Sequence, residues 1–450
     1  MTAIKNVILL TIDCLRADHL SCLGYHRETT PQLDRIAKRG ILFLQAISNG
    51  NSTPTAFRPL LTSTPLSMYN DDKYLSKYRV TIQEALKRNG FTTAAFHSNP
   101  YLSSYFGYSR GFDTFVGISD IKKDILIGGI KERGIKSLYY EFLFRLRLTS
   151  FRLKKLYKFS KGEPFARACT LNEMATSWIE KQDKNFFVWI HYMDVHTPYV
   201  PPNEYLRLFT GSPPGILGEL ILYLKTKFER QKDLEMITEE DLKLLIDLYD
   251  AEIRYVDAQI GLFLENLREM GVLDETLIII TADHGEEFCE HGAFGHAKFH
   301  LYDELLHIPL IIYAPAWNKR KVIEEQVELM SIAPTIADIL GLSEEKKHFM
   351  GKSLVPLIED TEEGSEYVVS EASRSKISYR EPDWKCIFDY ENGKIELYNL
   401  QNDPKERENI AQKEKEKVRE FQQKLLKYKK LVEEERIKRR IKNSKFSKRI

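Results

Sequence analysis

The sequence predicts an α/β fold: a sheet with helices on both faces, and a smaller antiparallel sheet near the C-terminus. Three observations carry that expectation. Short uninterrupted apolar runs, "NVILLTID" (6–13), "FFVWIHYMD" (186–194) and "TLIIITADHG" (276–285), read as strands buried on both faces. Segments of helical period stand between such runs. From about residue 365 the pattern gives way to alternating strands and turn residues.

Taken in order, "NVILLTID" is the first strand, with Asp13 at its carboxyl edge. "TPQLDRIAKRG" (30–40) follows as a helix, with Thr30 as cap, Pro31 at the first position and Gly40 as the stop. "ILFLQAIS" (41–48) is the next strand, and "TIQEALKRNG" then "FTTAAFHSN" repeat helix and strand over 81–99. "HIPLIIYAP" (307–315) is a further buried strand. "EYVVSEA" and "WKCIFDYENGKIELYNL" form antiparallel strands, the "ENG" marking a hairpin turn. "KEKEKVREFQQKLLKYKKLVEEERIKRR" is a charged helix, and the basic end "IKNSKFSKRI" is expected to lack regular structure. The implied division is a catalytic domain over 1–364, a small sheet over 365–411, and the charged helix with its tail over 412–450. Segment 135–162 is aromatic, basic and roughly helical in period. It can make peripheral contact with a membrane surface, but a lid helix with solvated lysines is the favoured reading.

Bulk composition narrows the function. With 450 residues, 43% hydrophobic and 29% charged, the chain suits a soluble globular protein. A formal net charge of +1 gives no field that would steer it to nucleic acid or to a membrane. The five cysteines are scattered and odd in number, which points to a reducing, cytoplasmic setting. "MTAIKNVILLTID" is too short and too soon acidic for a secretory signal, and no apolar run is long enough for a transmembrane segment.

Ligands of α/β sheets bind beyond the carboxyl ends of strands. Here those ends carry Asp13, Asp194, Asp283 and His284. An Asp-His pair directly after a buried strand suits zinc or manganese, and His291, His296 and His300 follow in the same loop. A surface loop rich in histidine explains those three equally well. In "HYMDVHTPYVPP" (191–202), His191, Asp194 and His196 can ligate a metal, protonate a leaving group or hold an oxyanion; an Asp194 turn explains the cluster as well. In "SNGNSTPTAFRPLLTS" (48–63), Thr53 before Pro54 reads as a helix N-cap. A hydroxyl at a helix start, beside a divalent ion, is in a nucleophile's environment.

These segments, with "LYDELLHIPLII", "MSIAPTIADILGL" and "YNLQNDPKERENIA", resemble the sulfatases of the alkaline phosphatase superfamily over Asn6 to about Ala411. The resemblance implies an alkaline-phosphatase-like mixed central sheet between helices, and hydrolysis of sulfate or phosphate esters. Typical sulfatases start a C-x-P-x-R motif with a cysteine that is oxidised to formylglycine. Counting back from "LLTS" places Thr53 at that position, with Ser52 in reserve, Phe57 where the arginine stands and Arg58 one step along. A threonine cannot become formylglycine, which favours phosphodiester or phosphonate substrates. By the same resemblance Asp13, Thr53, Asp283 and His284 hold one divalent ion. Cys14 replaces the family's second acid, which favours manganese or zinc over calcium. His196 assists the leaving group, and His296 or Lys298 faces the anion. The family's "G-K-W-H" lysine is absent, leaving His97 and Asn99 as stand-ins. A second ion on Asp194, His196 and His296 is the first rival. A phosphoglycerol-type transferase and a non-catalytic homologue that binds anionic glycans or lipids are the others. The expected partner is a small-molecule, glycan or lipid ester; oligomeric state is not legible.

Overall fold

The structure is a computed structural model that describes residues 4–69, 74–117, 165–211, 237–296, 299–315 and 320–446. The central sheet has eight strands: β1 (Asn6–Ile12), β2 (Ile41–Ile47), β3 (Thr92–His97), β4 (Thr114–Val116), β5 (Phe186–Tyr192), β6 (Thr276–Ala282), β9 (His307–Tyr313) and β10 (Lys321–Glu328). A two-strand ribbon, β7 (Glu287–Phe288) and β8 (Phe294–Gly295), lies between β6 and β9 in the chain. The order across the sheet is β10-β2-β9-β6-β1-β5-β3-β4. β9 runs against both of its neighbours, and the other pairings are parallel, so the sheet is mixed.

β1, β5 and β6 are buried along their whole lengths, as their continuous apolar sequences require. The register sets Ile12 beside Tyr192 and Ala282, and His97 beside His191. Four parallel strands therefore end on one edge. The residues that follow them converge there, whatever their separation in the chain.

Helices flank the sheet in two packed groups. One holds α1 (Pro31–Ala37), α4 (Ala168–Ile179) and the long α5 (Glu239–Glu269); the other holds α2 (Thr53–Thr62), α3 (Ile82–Arg88) and α6 (Ile332–Ile339). α5 starts with a reciprocal cap, in which Asp241 N donates to Thr238 Oγ1 (3.1 Å) and Thr238 N donates to Asp241 Oδ2 (3.0 Å). Its beginning falls in the 200–245 stretch, which with 100–165 is where the sequence places the loops expected to read the alcohol portion of the substrate. Most of that stretch and of 100–165, including the segment 135–162, lies outside the described residues.

The second sheet is antiparallel, in the order β11 (Val368–Glu371), β12 (Lys376–Arg380), β13 (Trp384–Asp389), β14 (Lys394–Asn399). The hairpin between β13 and β14 turns on Asp389, whose Oδ1 accepts from Glu391 N and Asn392 N, and on Gly393 at φ 65°. The helix α7 (Lys415–Phe446) lays Phe421 and Leu425 on Tyr379, Cys386 and Leu397 of this sheet. It then carries Val432 to Met68 and Tyr69 of the main body. α7 runs to Phe446, into the end segment expected to be irregular. That segment holds neither Gly nor Pro, and its Lys and Arg residues are good helix formers. Where the two sheets meet, Lys385 Nζ is buried 2.8 Å from Asp303 Oδ1 and 2.9 Å from Glu406 Oε1, and Arg380 Nη2 is 3.1 Å from Asp303 Oδ2.

Candidate active site

Asp13 leaves β1 and lies at the centre of the convergent edge, fully buried. Its Oδ2 accepts from Asn99 Nδ2, beyond β3, at 2.9 Å, and lies 3.2 Å from His191 Nε2 on β5. The other ring nitrogen of His191 is 2.9 Å from Thr11 Oγ1, which also accepts from Trp189 Nε1 at 2.9 Å. The imidazole is thereby fixed from behind. Thr53 Oγ1 donates to Asp13 Oδ2 at 3.4 Å, lies 3.5 Å from His284 Nε2, and accepts from Asn99 Nδ2 at 3.4 Å. A hydroxyl 40 positions from Asp13 and 231 from His284 thus meets both.

Sequence reading made Thr53 the helix cap. The structure gives that role to Ser52: Thr53 is the first residue of α2 and Pro54 the second. Ser52 Oγ is 2.9 Å from Thr55 Oγ1, and Ser52 N donates to the same oxygen at 3.1 Å. The shift by one residue separates the two hydroxyls. Ser52 serves the capping box, and Thr53 turns to the acids. Phe57 packs on Trp189 at 5.3 Å between ring centroids and edge-on to His191 at 4.9 Å, as a core residue does. Arg58 is buried, and its Nη1 donates to Pro54 O at 2.6 Å.

Asp283 and His284 leave β6 on the other side of Asp13. His284 Nε2 lies 3.6 Å from Asp13 Oδ1 and 3.5 Å from Asp283 Oδ2, and His284 Nδ1 donates to Gly285 O at 2.8 Å. That back bond fixes the tautomer and turns the Nε2 lone pair to the acids, as in a metal-ligating histidine. Burial, with the charge of His296 adding to it, pushes His284 down to about 4, so the imidazole is neutral at pH 7. Burial, aided by the Asp13 charge, pushes Asp283 up to about 8. Burial acts in the same direction on Asp13, but the His191 bond and the charges of His196, His191 and His284 hold it well below the usual range. Two buried carboxylates cannot both ionise side by side without a cation. Asp283 Oδ2 has no hydrogen-bond partner, and ligand atoms of Asp13, His191 and Asp283 lie within 4.8 Å of one another. The donor set fits a divalent ion.

The remaining candidates divide. His296 joins the cluster: its ring centroid is 4.6 Å from that of His284 and 5.2 Å from that of His196. His196 comes within ligand range of Asp13 and Cys14. Asp194 does not join the proposed second-ion set, because Arg167 Nε is 3.3 Å from its Oδ1 and Ala168 N donates to the same oxygen at 3.3 Å. His291 pairs with Glu304 at 3.2 Å and His300 with Glu287 at 2.9 Å, so the loop reading holds for those two. Lys298 lies outside the described residues. Of the two stand-ins for the missing lysine, Asn99 reaches the site, while His97 is buried against Trp189 at 5.6 Å. Sequence reading missed Glu286, three positions after Asp283, which is buried and 3.5 Å from His296 Nδ1. Its signal was a second acid in "DHGEE", adjoining a pair already recognised.

Among the described residues, no helix is long and apolar enough to cross a membrane. The family description Sulfatase matches residues 5–342, and that of the C-terminal part of N-sulphoglucosamine sulphohydrolase matches 289–435. An arylsulfatase of Clostridium perfringens is 24% identical over 451 residues, spanning 92% of this chain and 92% of its own. The phosphonate monoester hydrolase of Agrobacterium radiobacter is similar in fold, with a TM-score of 0.72 at 21% identity over 95% of this chain and 96% of its own. A structure with its substrate D-glucosamine-2-N,6-O-disulfate bound has a TM-score of 0.70 at 21% identity, over 96% and 98%.

Proposed function

The chain belongs to the sulfatase family and is an ester hydrolase; from that premise we propose that the Thr53 hydroxyl is its nucleophile and that it cleaves phosphodiesters or phosphonates in preference to sulfate esters. The observation that carries this reading is the position of Thr53 Oγ1, 3.4 Å from Asp13 and 3.5 Å from His284, while Ser52 is spent on the helix cap. Threonine carries a methyl group on its β-carbon and cannot form the aldehyde hydrate that typical sulfatases use. A threonine ester of the transferred group must be opened by water. The family resemblance implies that members with an unmodified hydroxyl act on phosphorus, and a phosphonate monoester hydrolase is among the proteins of similar fold, which supports the preference.

Asp13, Asp283 and His284, with Thr53, would hold a divalent ion, which would supply charge stabilisation and ease loss of the hydroxyl proton. Manganese or zinc suits this set of oxygen and nitrogen donors. Thr53 Oγ1 forms the new bond to phosphorus or sulfur as the bond to the departing alcohol oxygen breaks. Asn99 Nδ2, bonded to both Asp13 and Thr53, holds the nucleophile in line. His196 stands at the open side, 5.2 Å from His296 between ring centroids, and stabilises the departing oxygen. His296 faces the anion, with Lys298 beside it in the chain. The alcohol portion is a small molecule, a glycan or a lipid. All five cysteines are free thiols, which suits a cytoplasmic setting.

The test is a panel of aryl sulfate, phosphate monoester, phosphate diester and phosphonate monoester, assayed with manganese, zinc and calcium. Thr53→Ala should lose at least ~10³-fold in kcat/KM, a typical loss for a removed nucleophile. Ser52→Ala should keep most of the activity. The opposite pattern would move the nucleophile to Ser52, and a panel in which sulfate is cleaved best would overturn the phosphorus preference.

A further inference from the structure

Beside the donor set just described lie Cys14 and Glu286, two groups that the proposed reaction does not use, with His296 between them. Cys14 Sγ is 3.1 Å from Asp13 Oδ1 and 3.6 Å from His296 Nδ1, and His296 Nδ1 is 3.5 Å from Glu286 Oε1. Cys14 and Glu286 are completely buried. Neither carboxylate oxygen of Glu286 has a hydrogen-bond partner. An acid in that position is costly unless a cation is near, and among the described residues no lysine or arginine side chain is paired with it.

The geometry separates the donors into two sets. Ligand atoms of Asp13, His191 and Asp283 lie within 4.8 Å of one another, and so do those of Cys14, His284 and His296. The two groups share no residue, although His284, which belongs with Asp13 and Asp283 in the first site, also comes within range of Cys14 and His296. Asp13 links them: its Oδ2 faces Asn99, His191 and Thr53, and its Oδ1 faces Cys14 and His284. A carboxylate with one oxygen turned to each set is placed to bridge two ions. His196 falls within the same range of Asp13 and Cys14.

The backbone is bent to build this second set. Cys14 takes φ 60°, an uncommon conformation for a residue with a side chain. Gly295, at φ 83°, passes so close to Glu286 that a Cβ there would lie 3.0 Å from Oε1. A side chain at 295 would press on the carboxylate. The loop after β6 thus closes over Glu286 and brings His296 to it.

We propose that Cys14, Glu286 and His296, with Asp13 Oδ1 as the bridge, form a second cation site that selects zinc and rejects calcium. Thiolate, imidazole and carboxylate together are zinc donors, and calcium requires six or more oxygens. Cys14 is then a ligand of different hardness and not a lost one. On binding, the thiol proton leaves to solvent and the Sγ–metal bond replaces the contact with Asp13. The proposal rests on the preceding reading only in taking Asp13, Asp283, His284 and Thr53 as the first site.

The test uses the full chain, stripped of metal and then titrated separately with zinc and with cobalt. Elemental analysis should find about two zinc ions per wild-type chain and about one in Cys14→Ser and in Glu286→Gln. Cobalt should give a near-ultraviolet sulfur-to-metal charge-transfer band in the wild type and in Asp283→Asn, and none in Cys14→Ser. A wild-type protein that binds one ion and shows no sulfur band overturns the second site, and that result needs no variant to fold. If that one-ion protein still hydrolyses the ester panel through Thr53, the preceding function stands without it. A two-ion protein with the sulfur band but no hydrolysis of any panel member leaves this site standing and removes that function.

Discussion

At the junction of the two sheets, Lys385 and Arg380 meet Asp303 and Glu406, two cations against two acids. At the edge of the central sheet, Asp13, Asp283 and Glu286 meet imidazoles and a thiol. Both clusters are buried, and both are built from residues distant in the chain. The junction is electrically balanced within the protein. Among the described residues, the edge is balanced only if something positive arrives. Burial of charge is thus not in itself a sign of function. A buried acid without a matching cation is the better sign, because folding alone gives no reason to keep it.

Substitutions should separate the two clusters. The largest effect is expected from Asp283→Asn. It should lower kcat/KM by at least ~10³-fold, about 4 kcal/mol of barrier, yet leave the metal-free protein as stable as the wild type or more so, because it neutralises a buried acid whose Oδ2 has no hydrogen-bond partner. Steady-state assay and urea unfolding in chelator measure the two effects. A large stability loss in the chelated protein would show that the edge is structural like the junction. Next comes Lys385→Met, which leaves Asp303 and Glu406 facing each other. Unfolding free energy should fall by about 3–5 kcal/mol, while kcat per folded molecule stays near that of the wild type.

A smaller effect is expected at Asn99, which belongs to the edge but carries no charge. Asn99→Ala should cost ~10–100-fold in kcat, about 1.5–3 kcal/mol for a hydrogen bond to a charged group, with little change in KM. A unchanged kcat would show that Asp13 and Thr53 are held in place without it.

The smallest effect concerns His97, buried beside the edge with neither ring nitrogen hydrogen-bonded. Burial, with the His191 charge adding to it, pushes its pKa down to about 3. The unfolded chain takes up that proton near pH 6.5 and the folded one does not until about pH 3. Stability is therefore full above the upper value and falls as pH drops between the two, by at most ~1.4 kcal/mol per pH unit. His97→Phe should flatten this slope in urea unfolding between pH 6.5 and pH 4. An identical slope in the variant would assign the acid limb to other groups.

Much of the edge was legible because the sheet is parallel. Apolar strands announce themselves, and the residue after each is forced to one side, so Asp13, Asp283 and His284 could be named from sequence. Asp194 obeyed the same rule and failed, because Arg167 comes from a separate helix and nothing local foretells it. Glu286 was hidden by its neighbours and Cys14 by comparison with an acid that it replaces. β10, "KVIEEQVE", was missed because an edge strand carries charges along its open side. α5 was missed although "TEED" (238–241) is a capping-box start, because that lone signal stands in a stretch with no other pattern before it. The junction was illegible: nothing near Lys385 or Glu406 in the sequence foretells that the two are buried together.

The function proposed for Thr53 has a consequence beyond its position. On that proposal the reactive oxygen is written directly in the gene, and the branched β-carbon leaves few torsional states for it to explore. An enzyme that works through Thr53 would need no maturation enzyme and no oxidant, so recombinant material from any host should be uniformly competent once supplied with metal.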